Sequence, residues 1–188
     1  AGPDGYCYDP DGISTQEKWD YMVTMRNSGR NLAKDYADKF GVEFFPGQKP
    51  WGQKADICMP CAYQNEIGMK EADQILANGT KYYIEVANMP TTNEALFYLM
   101  EKGLVVAPSK AVNAGGVSVS GLEMSQNSER ITWKPEEIDG MLHNIMVNIH
   151  AASAQAAEEC GMGYNLVAGA NIAGFKKVAD AMMAQGIV

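Results

Sequence analysis

The sequence predicts an open, doubly wound α/β fold with a mainly parallel sheet, followed by a stretch that contains helices alone. Three observations carry this. Short apolar segments, "ADICMP" (55–60), "KYYIEVAN" (81–88) and "LVVAPS" (104–109), alternate with helical patterns, "MKEADQILANG" (69–79) and "TNEALFYLMEK" (92–102). Strands separated by a helix cannot close as hairpins, so they run parallel and their helices cross over right-handedly onto the sheet. Beyond residue 134 the alternation stops and only helical spacing remains.

The elements follow in order. Ser14 and Glu17 stand at capping-box spacing, and Trp19, Met22, Val23 and Met25 follow at roughly helical intervals. A second helical pattern, Leu32, Ala33, Tyr36 and Ala37, ends near Gly41, a residue type that tolerates the left-handed backbone of a helix end. "VEFFPGQKPWGQK" (42–54) reads as loop with a short strand at its start. Asn78 and Gly79 stop the next helix. Thr91 and Glu94 repeat the capping-box spacing, and Gly103 closes the helix that they open. Pro135 suits a first helical turn, and Leu142, Ile145, Met146 and Ile149 form one stripe of a long helix over 135–160. Gly161 and Gly163 end it. A last helix, about 166–185, offers Leu166, Ile172, Phe175, Val178, Met182 and Met183 as candidate buried positions.

Composition narrows the function classes. Of the 188 residues 46% are hydrophobic and 20% charged, far from the composition of a disordered chain. A net charge of -8 without any basic run argues against nucleic acid, which needs clustered Lys and Arg. No apolar run approaches the roughly 18 residues of a membrane span, and the polar start "AGPDGYCYDPDG" lacks the regions of a signal peptide, which gives a cytoplasmic expectation. Cys7, Cys58, Cys61 and Cys160 are too few for a disulfide scaffold and are expected as reduced thiols. The chain starts without Met and with a turn-rich segment, and so reads as part of something longer.

In an open parallel sheet, ligands bind beyond the carboxyl ends of the strands. That rule selects four loops, each expected just after a strand: "GPDG" (2–5), "PCAYQN" (60–65), "ANMPTTN" (87–93) and "APSKAVNAGG" (107–116). Gly115 and Gly116 allow a ligand or another backbone to approach the main chain, or else they let two helices pack closely. Ser118 and Ser120 are two apart and do not share a helical stripe.

Two other readings compete. "CMPC" (58–61) has C-x-x-C spacing, which allows a thiol-redox or metal role for Cys58 and Cys61. Against it, Cys58 falls inside an apolar strand, and His143 and His150 sit on a remote helix; no metal is expected. The third reading is a non-catalytic binding or assembly module.

The segments "PCAYQN", "ANMPTTNEA", "VVAPSKAVNAGGVSVSGLEMSQNS" and "NLVAGANIAGFKKVADAMMAQGIV" closely resemble the C-terminal half of bacterial glutamate dehydrogenases, and the resemblance covers essentially the whole chain. It implies an enzyme family that interconverts L-glutamate with 2-oxoglutarate and ammonium by hydride transfer to or from NAD or NADP. It further implies a Rossmann-like cofactor domain lacking its first β-α-β unit over 1–134, then a long pivot helix and a C-terminal helix of the same domain over 135–188. The glycine-rich phosphate turn is absent: "GMGYNLVAG" (161–169) starts correctly but has Leu166 at the sixth position.

Residue by residue, the resemblance assigns Asp4 to the adenosine ribose, where a carboxylate favours NAD over NADP. It assigns Cys61 and Ala62 to backbone lining the cofactor cleft, with Tyr63 in place of the usual threonine. Asn88 and Asn113 fall around nicotinamide and substrate. Ser120 matches a ligand of the glutamate side-chain carboxylate, and Val117 shapes the same pocket; relatives acting on leucine or phenylalanine usually have an apolar residue at the Ser120 position. The catalytic lysine and aspartate of the family belong to a domain absent here, so no catalytic residue is assigned. Lys110 carries no proton-transfer role. The 188 residues by themselves are therefore expected to be inactive. With the leading strands missing, an unprotected sheet edge and face are expected to be covered by self-association or by a rearranged N-terminus, whereas the whole protein is expected to be a homohexamer.

Overall fold

In a computed structural model, which describes residues 1–186, the chain divides into two compact units, Ala1–Gln53 and the residues from Lys54 onward. The first unit contains β1 (Gly5–Tyr8), α1 (Gln16–Asn27), α2 (Ala33–Phe40) and β2 (Glu43–Pro46). β1 and β2 pair antiparallel, Gly5 opposite Pro46 and Tyr8 opposite Glu43. The Tyr6 and Phe45 rings stack across the pair with centroids 4.5 Å apart. This hairpin-like sheet departs from two expectations. The turn-rich start carries a strand of its own, and "GPDG" precedes that strand instead of following one. The reason is non-local: β1 is recognisable only through a partner 35 residues or more further on.

α1 is capped by Thr15, whose hydroxyl accepts the Lys18 N–H at 3.3 Å, and not by Ser14. None of its residues is buried, and Trp19 is exposed. α2 buries Ala33, Tyr36 and Ala37 and ends at Gly41 with φ 67°, the left-handed end that its sequence predicts.

The second unit holds a three-stranded parallel sheet in the order β3 (Ile57–Cys58), β4 (Tyr82–Ile84), β5 (Val105–Ala107). Its crossovers are α3 (Met69–Ala77) and α4 (Asn93–Glu101), as the alternation of patterns requires. The core is Ile67, Ala72, Ile75, Tyr83, Ala95, Leu99 and Val106, all at 5% exposure or less. Burying the Tyr83 hydroxyl demands a partner. Thr91 supplies it at 2.6 Å. That bond explains a shift in the α4 cap: with Thr91 buried against Tyr83, the N-cap falls to Thr92, which accepts the Ala95 N–H.

Four helices follow: α5 (Ser109–Val112), α6 (Ala114–Glu129), α7 (Pro135–Glu159) and α8 (Leu166–Gln185). Pro135 opens α7, and Leu142, Ile145, Met146 and Ile149 are half-buried along it. Only the start of α8 follows its predicted stripe. Leu166 and Gly169 are buried, whereas Phe175, Val178, Met182 and Met183 are 50–84% exposed. Among the described residues no helix is long and apolar enough to cross a membrane.

Candidate functional site

The parallel strands place their following loops at one end of the sheet, and backbone hydrogen bonds join two of these loops. After β3, the Pro60 carbonyl accepts the N–H groups of Val86 and Ala87, and the Asn65 and Ile67 N–H groups donate to the Met89 and Pro90 carbonyls. The Thr92 N–H returns to the Ile67 carbonyl. Met89 completes this turn with φ 48°, a left-handed backbone that is costly for a residue with a side chain. Between the two loops lies an open cleft of about 600 Å³ lined by Cys61, Ala62, Tyr63, Gln64, Val86, Ala87 and Asn88. Its size lies in the range of small-molecule sites.

The third loop reaches the same rim through one side chain. Asn113, between α5 and α6, donates from Nδ2 to Asn88 Oδ1 at 2.6 Å. That bond consumes one amide N–H of Asn113 and one lone pair of Asn88, leaving the Asn88 NH2 as donor and the Asn113 oxygen as acceptor. The pair thus retains the two functions that a primary carboxamide complements.

Val117 and Ser120 stand four and seven residues beyond Asn113, so the three positions fall along one stripe at the start of α6. Both side chains are exposed and neither lines the cleft. The Ser120 hydroxyl donates to the Gly116 carbonyl at 3.3 Å, and Ser118 donates to the Ala114 carbonyl at 2.7 Å. The adjacent glycines separate in role. A Cβ at Gly115 would meet Met146 and Leu142 of α7 at ordinary contact distance, whereas one at Gly116 would meet nothing within 4 Å. Among the described residues no packing forces either glycine, and the open side at Gly116 leaves its backbone approachable. Lys110 is engaged by Asn171 of α8.

Asp4 belongs to the first unit. Its two oxygens accept the Ala33 and Lys34 N–H groups, each at 2.9 Å, and so cap α2, whose N-cap Leu32 has no side-chain hydrogen bond. Desolvation raises the Asp4 pKa, but these backbone donors outweigh it and hold the carboxyl below its usual range. Each oxygen retains a second lone pair for a hydroxyl donor.

The thiol reading does not fit this geometry. Burial, reinforced by Cys61 and Glu66, pushes the Cys58 thiol up to about 12, and Cys58 and Cys61 are both free. Cys61 is exposed and bonded to the Met59 carbonyl, and its own pKa is also raised, first by desolvation. A thiolate nucleophile needs the opposite shift. Among the described residues no group of His, Cys, Asp and Glu could hold a metal; His150 instead pairs with the Tyr164 hydroxyl at 2.6 Å.

Sequence reasoning selected the loops that carry Gln64 and Ala87 without singling those residues out, and it missed Val86 in the cleft wall and the buried carboxyl group of Glu85. A charge inside the otherwise apolar "YYIEVAN" was the available signal for Glu85.

The fold and site define a Rossmann-like α/β protein whose cleft lies at the carboxyl ends of its parallel strands. The sequence profile of the Glutamate/Leucine/Phenylalanine/Valine dehydrogenase family matches residues 1–186, and the chain belongs to that family. It is 69% identical over its full 188 residues to the NAD-specific glutamate dehydrogenase of Clostridium symbiosum. It is 48% identical over 184 residues to the NADP-specific enzyme of Haemophilus influenzae, covering 97% of this chain and 41% of that one. A solved glutamate dehydrogenase structure superposes with a TM-score of 0.95 at 69% identity, covering all of this chain and 42% of that one. The chain spans about two fifths of the length of these relatives.

Proposed function

We propose that this chain supplies the nicotinamide- and glutamate-facing part of the cofactor domain of a cytoplasmic, homohexameric glutamate dehydrogenase, with residues 1–134 contributing to the nucleotide fold and α7 and α8 forming its pivot and C-terminal helices. The observation that carries the reading is the Asn88–Asn113 pair at the mouth of the cleft, with one donor and one acceptor left for a carboxamide. Nicotinamide, when bound, accepts the hydride from the α-carbon of glutamate. The residues of this chain bind and orient. Cys61 and Ala62 line the cleft, Asn88 and Asn113 hold the carboxamide, and Ser120 turns its hydroxyl from the Gly116 carbonyl to the distal carboxylate of glutamate, beside Val117. A site with a hydroxyl for that carboxylate discriminates against apolar amino acids, whose side chains would leave it unpaired.

Asp4 favours NAD. Its free lone pairs accept a ribose 2′-hydroxyl, and its charge repels a 2′-phosphate. Relatives of both cofactor specificities match nearly the whole chain in sequence, so this preference rests on Asp4 and not on family membership.

No proton-transfer group is assigned here, and hydride transfer needs all its partners held at near-attack distance. These 188 residues by themselves therefore bind weakly and do not turn over. The reading is tested by titrating the chain with NAD while following its amide signals by NMR. Shifts at Cys61, Ala62 and the Asn88 and Asn113 side chains, lost in Asn113→Ala, support it. Unmoved signals up to about 10 mM NAD, beyond the range of weak specific binding, overturn it.

A further inference from the structure

Glu85 is 3% exposed at the carboxyl end of β4, three residues before Asn88. A carboxylate so placed is costly unless something donates to it. Its Oε2 accepts the Ser109 N–H at 3.1 Å, while its own N–H continues the sheet ladder to the Ala107 carbonyl at 3.0 Å. Ser109 is the first residue of α5, and the residue before it is Pro108, which makes no side-chain cap. The first amides of a helix lack partners within the helix. Glu85 caps this one from the neighbouring strand.

The contacts close a ring. Glu85 holds the Ser109 N–H, the Ser109 carbonyl accepts the Asn113 N–H at 2.8 Å, and Asn113 donates its side-chain amide to Asn88 at 2.6 Å. From Asn88 the main chain returns to Glu85 through Val86 and Ala87, whose N–H groups are both held by Pro60. Every link is either a hydrogen bond or a few residues of restrained backbone.

We propose that Glu85 is a positioning residue that sets the Asn88–Asn113 pair for a carboxamide ligand by fixing the start of α5. This rests on the proposed function above. A purely structural carboxylate would stabilise the sheet without ordering the two amides, and that difference can be measured.

The test uses the 188-residue chain with Glu85→Ala and Glu85→Gln, since glutamine keeps an oxygen acceptor for Ser109. Side-chain amide signals of Asn88 and Asn113 are recorded by NMR without ligand and then during titration with nicotinamide mononucleotide. The expected result has three parts. The ligand-free wild type shows dispersed Asn88 and Asn113 side-chain amide signals, with slow exchange at the Asn113 N–H that donates to Asn88; Glu85→Ala collapses both toward free-amide positions and weakens binding about fivefold; Glu85→Gln restores most of both. Dispersed amides in a folded Glu85→Ala chain overturn the proposal, as does a folded Glu85→Gln chain whose amides are collapsed. If Glu85→Ala does not fold, the glutamine variant decides. A wild type that ignores the mononucleotide overturns the carboxamide reading, while the ligand-free spectra still decide whether Glu85 orders the pair.

Discussion

Gly169 of α8 faces Ser153 of α7 so closely that a Cβ there would fall inside the van der Waals envelope of the Ser153 carbonyl oxygen and 3.1 Å from the Ala157 Cβ. The obstacle is backbone, which cannot swing away as a flexible side chain would. The crossing of these two long helices is therefore set by a missing side chain.

Gly169→Ala separates two opposing effects. Helix propensity favours alanine by about 1 kcal/mol, whereas overpacking against a fixed backbone costs about 1–3 kcal/mol. Because the obstacle is backbone, the overpacking penalty wins, and thermal unfolding should show a lower Tm, by about 2–4 °C per kcal/mol in a chain of this size. Gly174 lies on the same helix with nothing within 4 Å of a built Cβ, so Gly174→Ala should raise Tm instead. Equal shifts in both variants would contradict the crossing as described.

Met89→Gly should stabilise the chain by about 1 kcal/mol in urea titration, because the left-handed φ of 48° strains methionine and suits glycine. The exposed methionine side chain gives up little burial in exchange. Met89→Val should do the reverse, its β-branch being a poor fit to that backbone.

Asp4 makes a pH-dependent contribution of definite sign. Burial raises its pKa, but the Lys34 and Ala33 N–H groups lower it further, so the folded value lies below the unfolded one. Its stabilisation is therefore fully present above the unfolded carboxylate range, near pH 4, and fades as pH falls through the lower folded value. Asp4→Asn should flatten the stability profile below about pH 4 and leave its slope above pH 5 unchanged. An unaltered acid limb in calorimetric scans would contradict this.

Cys58 should be silent to a thiol reagent at pH 8 until the chain unfolds, since its thiol is buried and pushed up to about 12. Exposed Cys160 should react in the folded state. Two fast cysteines spaced as Cys58 and Cys61, identified by mass spectrometry of labelled peptides, would reopen the thiol-redox reading.

What could be read from the sequence was local. Gly41 in its left-handed conformation, Pro135 at the start of α7 and the stop at Asn78 and Gly79 depend on backbone preferences of a few neighbouring residues, and each lies where its pattern puts it. Parallel pairing of β3, β4 and β5 was equally legible, because alternating strands and helices leave few other topologies. Motifs long enough to show a family also drew attention to Asn88 and Asn113, which the fold joins by a hydrogen bond, whereas Val117 and Ser120 lie on α6 away from the cleft lining and Asp4 belongs to the first unit.

Tertiary structure decided whatever depends on a distant partner. Thr92 caps α4 because Thr91 is taken by Tyr83, eight residues away and buried. β1 exists because β2 pairs with it, and the second half of α8 lies exposed although Phe175, Val178, Met182 and Met183 continue an apolar spacing along it. Asn88 and Asn113 are 25 residues apart in the chain and 2.6 Å apart in space. Local propensities act over one or two helical turns, whereas burial and side-chain pairing are settled only when the sheet has assembled, and the chemistry of this site lives in that second set of contacts.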